Sequence, residues 1–192
     1  ISCSLVGSEM CIRDRFIKAL LQNEEGLRID NEHFAIISPD EGSMSRAIYL
    51  ANILGVDMGM YYKRLDYSTF VNGRHPIAAY EFLGSSLKGK DVILVDDMIS
   101  SGNTVLKIAS LLKERGAGRI YICSTFGLFT DGLAKFDEAH KNGVFDKMLT
   151  TNLVYQAPEL LEKDYYITCD MSKYIALIIC LLYTSPSPRD CS

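Results

Sequence analysis

DVILVDDMISSGNT, residues 91–104, decides how this chain is read. Four apolar residues, Val92 to Val95, run into two adjacent carboxylates, Asp96 and Asp97. Ser100, Ser101, Gly102, Asn103 and Thr104 follow. The apolar run predicts a strand buried on both faces. Behind it Val105, Ile108, Ala109, Leu111 and Leu112 recur at helical spacing, and Arg115-Gly116 closes that helix with a C-terminal cation and a cap. The small polar residues therefore sit where a helix begins, and a helix start offers unpaired N–H groups and partial positive charge.

The ends of the chain read differently. One DNA segment can encode residues 5–15, and its opposite strand can encode Cys180 to Arg189. Inverted flanks of this kind resemble a translated sequencing-library adaptor, so residues 1–15 and 180–192 are set aside as non-native. The native piece is then 16–179, with both of its ends open to truncation. Of six cysteines, four (Cys3, Cys11, Cys180, Cys191) go with the flanks. Cys123 and Cys169 remain in apolar runs, without disulfide or zinc spacing. That predicts a reducing, cytoplasmic setting. The flanking charges cancel, so the net charge of −4 is native and gives no footprint for nucleic acid or a membrane surface. The apolar run 174–183 is too short to span a bilayer. The length suits one domain.

Elsewhere the pattern alternates. Phe34–Ile37 predicts a strand ending in the turn Ser38-Pro39-Asp40-Glu41-Gly42, and a helix over 47–54 stops at Gly55. Asp57–Tyr62 and Ala78–Leu83 read as strands, with 63–77 between them as a long exposed loop. Strands at 120–123 and 147–151, and helices at 133–140 and 171–179, complete the order. This is an α/β domain built on a parallel sheet, with helices on both faces.

In such sheets ligands bind beyond the carboxyl ends of strands. Two ends carry unusual chemistry here, 38–42 and 96–104. Small residues at 100–104 let the backbone curl into an anion nest, with hydroxyl donors from Ser101 and Thr104. Asp96 and Asp97 repel phosphate but can accept hydrogen bonds from neighbouring hydroxyls or help hold a divalent cation. Phosphate beside vicinal hydroxyls describes ribose 5-phosphate. An ordinary strand-to-helix turn, its serine and aspartates merely capping, is the alternative these residues leave open. No Walker or dinucleotide-binding glycine pattern is present.

VILVDDMISSGNT resembles the phosphoribosyl-binding loop of the type I phosphoribosyltransferase fold, with Asn103 where that family usually has glycine. Residues 36–55 resemble the strand–loop–helix of ribose-phosphate pyrophosphokinases. YYKRLDYS at 61–68 resembles the start of their catalytic loop, 121–136 their next strand and helix, and 150–155 a later strand. The resemblance covers about 34–179, the C-terminal half of such an enzyme, without the half that carries most of the ATP site.

It implies transfer of pyrophosphate from ATP to ribose 5-phosphate, with Mg²⁺, in a homo-oligomer when full length. By the same resemblance Asp96, Asp97, Ser100, Ser101, Gly102, Asn103 and Thr104 bind ribose 5-phosphate. Asp40 helps hold Mg²⁺, Gly42 permits the close turn, and Lys63 and Arg64 reach the transferred phosphates from a loop. Leu65 stands where the family usually has a second arginine, which can grip phosphate bidentately. His33, His75 and His140 show no ligand spacing, and Arg46 is expected at the surface or an interface. A phosphoribosyltransferase, or a non-catalytic regulatory homologue that binds phosphoribosyl compounds, is the alternative function.

Overall fold

The computed structural model describes residues 15–65 and 77–184. His75 and most of the expected catalytic loop lie outside them. Seven strands form one sheet in the order β3-β2-β1-β4-β5-β6-β7. They are β1 (Phe34–Ser38), β2 (Asp57–Leu65), β3 (Ile77–Leu83), β4 (Asp91–Ile99), β5 (Ile120–Gly127), β6 (Lys147–Thr151) and β7 (Tyr166–Cys169). All neighbours pair in parallel except β2 and β3, which are antiparallel. The helices are α1 (15–23), α2 (Met44–Leu54), α3 (Asn103–Glu114), α4 (Ala134–Lys141), the single turn α5 (Pro158–Leu161) and α6 (Ser172–Thr184).

Alternation along the strands builds two cores. Ala35, Ile37, Val92, Leu94, Ile120 and Ile122 face Val105, Ile108 and Leu112 of α3 and Phe136 of α4. Phe34, Ile36, Ile93, Val95, Tyr121 and Cys123 face Leu50 and Ala51 of α2 and Phe16 and Leu20 of α1. The central strands are thus apolar on both faces because helices cover both. Cys123 and Cys169 are both buried in the second core. Burial pushes the Cys123 thiol well up and Cys169 up to about 12, so neither is a reactive thiolate.

The expected α/β fold stands, with three corrections. Lys63, Arg64 and Leu65 do not belong to a loop: β2 continues through them, and Lys63 pairs with Tyr80 and Arg64 with Ala79 across the ladder. The Tyr62 hydroxyl donates to Glu81, and Arg64 Nε lies 2.8 Å from Glu81 Oε1. These cross-strand contacts, invisible in a reading of charge and Asn-Gly alone, hold the segment extended. Secondly, β3 makes the sheet mixed rather than wholly parallel. Thirdly, α1, α5 and β7 went unread. β7 is four residues long, and only its end residues, Tyr166 and Cys169, are buried. The last turns of α6 fall in residues set aside above as flank.

The entry to α3 is close-packed. Gly102 adopts φ +82°, and a Cβ there would sit 2.1 Å from Phe136 Cζ. Gly102→Ala therefore combines left-handed strain of about 1–2 kcal/mol with a steric clash. Phe136→Ala alone should cost about 3–5 kcal/mol. It also removes the clash, so urea denaturation of the double variant should show a loss smaller than the sum of the two by about 0.5 kcal/mol or more. Strict additivity would mean that the two residues do not meet.

Candidate functional site

The chain winds one way from β1, through α2 to β2, and the other way from β4, through α3 to β5. The reversal falls between β1 and β4, which pair in register from Phe34–Asp91 to Ile37–Leu94. Loops leaving the two adjacent strands diverge and open a crevice at their carboxyl ends. A cleft of about 190 Å³ lies there, lined by Asp40 and the whole of 96–105. The two strand ends singled out from sequence are therefore one site.

On the first strand end, the Ser38 hydroxyl donates to the Asp40 carbonyl at 2.6 Å. Ser43, almost wholly buried, joins the two ends. Its backbone N–H donates to Asp40 Oδ1 at 3.2 Å and its hydroxyl to Asp96 Oδ1 at 3.0 Å. Sequence reading passed over Ser43, although its place three residues after Asp40 at a helix start was a signal. A Cβ at Gly42 would lie 3.3 Å from Asp40 Oδ1, so any side chain there would crowd that carboxylate. Lys63 Nζ reaches 3.9 Å from Asp40 Oδ2.

On the second, Asp96 and Asp97 lie within β4 rather than beyond it, and Ser100–Gly102 make the turn into α3. Asp96 also accepts from the Asp97 N–H at 2.8 Å. Partial burial nevertheless raises its pKa to about 6, and the nearby Asp40 charge adds to this. Asp97 is more exposed, with Arg46 Nη1 3.7 Å from its Oδ2. Arg46, expected at the surface or an interface, thus lies partly exposed against Asp97. Gly102 caps α3 without any side-chain capping bond, so the alternative in which serine or aspartate caps this helix is not what is seen. Ser101 Oγ is 3.5 Å from the Asn103 N–H, at the outer limit of a hydrogen bond. Asn103 and Thr104 open the helix at the mouth of the cleft.

Arg64 points to Glu81, away from this constellation, while Lys63 is near it. Among the described residues no three His, Cys, Asp or Glu side chains converge as a metal cage. Asp40 and Asp96, bridged by Ser43, supply two carboxylates. That suits Mg²⁺, which keeps several waters and commonly binds one or two carboxylates plus substrate oxygens.

Residues 12–162 match the model of the phosphoribosyl transferase domain, and the chain belongs to that family. More particularly, it is homologous to the C-terminal half of ribose-phosphate pyrophosphokinases. It is 31% identical to the enzyme of Thermococcus kodakarensis over 147 residues, 73% of this chain and 49% of that one. With the Shewanella oneidensis enzyme the identity is 32% over 158 residues, 82% of this chain and 46% of that one. The chain thus spans about half the length of these curated relatives. In structure it resembles the phosphoribosylpyrophosphate synthetase of Mycobacterium smegmatis, with a TM-score of 0.68 at 21% identity over 88% of this chain and 50% of that one. It also shares a fold with a Giardia lamblia APRTase, with a TM-score of 0.53 at 14% identity over 77% and 80% of the two chains.

The state of Asp96 can be tested through stability. Its folded pKa, about 6, lies above the ordinary 3.8. As pH rises through that interval the unfolded chain ionises first, so Asp96 favours folding most below about pH 4 and loses that contribution as pH passes 6. Asp96→Asn keeps an acceptor for Ser43 and removes the charge. It should be more stable than the parent at pH 7–8 by about 1–2 kcal/mol, after a discount for solvent screening in an open cleft. The difference should shrink toward zero at pH 4. Urea denaturation across this range reads it, and a gap independent of pH would contradict a raised pKa.

Proposed function

We propose that this chain is the phosphoribosyl-binding half of a ribose-phosphate pyrophosphokinase, which transfers the β,γ-pyrophosphoryl group of ATP to the 1-hydroxyl of ribose 5-phosphate. The observation that carries the reading is the junction at the sheet reversal. An acid pair at the end of β4 and an uncapped helix start on α3 share one cleft with Asp40. The backbone N–H groups at the start of α3 and the hydroxyls of Ser100, Ser101 and Thr104 receive the 5-phosphate. Asp96 and Asp97 accept hydrogen bonds from the ribose hydroxyls. Asp40 holds Mg²⁺, which neutralises phosphate charge when bound.

Lys63 stands beside Asp40 at the edge of the cleft, where its ammonium can meet the transferring phosphates. Arg64 joins it after exchanging Glu81 for a phosphate oxygen. No covalent nucleophile is needed, since the chemistry is positioning and charge neutralisation. The ATP site belongs mainly to the other half of the enzyme. The reading carries homo-oligomer assembly and a cytoplasmic setting with it. It also keeps 16–179 as the native piece, on the strength of the inverted coding identity of the two flanks.

A regulatory, non-catalytic homologue is the second reading. It is favoured by Arg64, paired with Glu81 on a strand, and by Leu65 in place of an arginine.

Saturating ribose 5-phosphate should slow hydrogen exchange at the backbone amides of 102–104. Unchanged exchange in the folded chain would remove the phosphate assignment. In the full-length protein, Lys63→Ala should raise the barrier that sets kcat by about 2–4 kcal/mol, the loss typical of one preorganised donor. An unchanged kcat would remove Lys63 from the catalytic machinery, and a full-length protein without any turnover would select the regulatory reading.

A further inference from the structure

Asn103 departs from the glycine usual at its position, and its environment is built to hold it. From α4, Lys135 Nζ donates to Asn103 Oδ1 at 3.0 Å and to Asp131 Oδ2 at 2.9 Å. The Thr130 hydroxyl donates to Asp131 Oδ1 at 3.2 Å, and Ser100 Oγ lies 3.4 Å from Thr130 Oγ1. The Thr130 N–H also donates to the Ser100 carbonyl at 3.1 Å, and the Leu128 N–H to the Ile99 carbonyl at 2.8 Å. Ser100, Thr130, Asp131, Lys135 and Asn103 therefore form one polar arc. It leaves the turn at its first residue, runs through the β5–α4 segment and returns at the start of α3. Phe136, next to Lys135, fills the space against Gly102 beneath the same turn.

The geometry points to Lys135 as a positioning residue for the phosphate turn, acting through Asn103. A lysine ammonium is donor-only, so of the two ends of the Asn103 carboxamide it can hold only the oxygen. That fixes the orientation of the amide and leaves the Nδ2 hydrogens without a partner among the described residues, on a side chain that lines the cleft. An asparagine free to turn presents either an oxygen or an NH₂ group to an anion. Held by Lys135, it presents the donor. Asp131, four residues earlier in the turn before α4, in turn holds Lys135, and the Lys135 ammonium holds the Asp131 carboxyl below the usual carboxylate range. The side chain at 103 thereby becomes one more phosphate donor, and glycine at this position could not supply it.

The inference rests on ribose 5-phosphate binding at 96–104, and two measurements separate the two ideas. The first uses the unliganded chain. In NMR spectra, Lys135→Met should shift the Asn103 side-chain NH₂ pair and bring its hydrogen exchange close to that of a free carboxamide, while Lys135→Arg should preserve the parent signal. An unmoved NH₂ pair in a folded Lys135→Met chain overturns the positioning role whether or not any sugar phosphate binds. The second is calorimetric titration with ribose 5-phosphate. Lys135→Met should weaken binding about tenfold, the usual loss for one charge-assisted hydrogen bond. In an Asn103→Gly background the same change should have almost no further effect. Losses that simply multiply would make Lys135 a direct electrostatic partner and overturn the route through Asn103. If the parent chain itself fails to bind ribose 5-phosphate, the proposed function fails and the NMR result alone decides the role of Lys135.

Discussion

The parallel pairing of β1 with β4 is the contact on which the site depends. Neither strand end makes a binding site alone. The turn after β1 offers Asp40 and the buried Ser43, and the end of β4 offers Asp96 and the entry to α3. They meet because the chain winds outward in opposite directions from these two neighbours. Register sets the rest. With Ile37 opposite Leu94, Ser43 can reach across to Asp96. A slip of one residue would turn the slipped strand's side chains to the opposite faces and carry Ser43 away from Asp96. The same alternation that buries Ile93 against α2 and Leu94 against α3 therefore also aims the acids.

That arrangement concentrates negative charge. Asp40, Asp96 and Asp97 share one cleft, and among the described residues the cations paired with them, Lys63 and Arg46, stand 3.9 and 3.7 Å from the Asp40 and Asp97 carboxylate oxygens. Such contacts are long and partly solvated, so they offset little of the repulsion. The pKa of Asp96 is raised chiefly by burial, and the neighbouring acids add to it. A site of this kind disfavours an anion at its acidic side and accepts one at the helix start. The polarity suits a ligand with hydroxyls at one end and phosphate at the other, bridged to the acids by a cation. It suits a ligand that is anionic throughout much less well.

Much of this was legible from residues alone. The buried run 92–95, the helical stripe from Val105 to Leu112, Gly55 as a left-handed cap and strand 147–151 follow from local rules that tertiary packing did not override. The two strand ends could be named as candidate ligand-binding ends before their adjacency was known. What escaped was set by partners distant in sequence. Glu81 holds Arg64 in an extended conformation, so residues without a strand period became strand. Ser43 finds its significance 53 positions away at Asp96. The short β7 owes its place to pairing with β6, and its own pattern is too brief to announce it. Local chemistry announces a helix start or a buried strand; it is silent about which distant side chain completes it.

The β5–α4 segment shows how the fold supports a turn that cannot support itself. Ser100–Gly102 make only one side-chain contact within the turn, at 3.5 Å, and α3 has no capping side chain. A helix start left this open keeps its N–H groups available to an anion, but loses the stabilisation that a cap normally adds, about 1 kcal/mol. The structure offsets this from outside. Phe136 closes against Gly102, and backbone hydrogen bonds tie Leu128 and Thr130 to Ile99 and Ser100. The donors that a strong cap would consume are thus kept available, the Asn103 N–H meeting Ser101 Oγ only at 3.5 Å. Rigidity comes from a neighbouring segment that leaves the cleft unfilled, and preorganisation of this kind lowers the cost of ordering a binding loop when its ligand arrives.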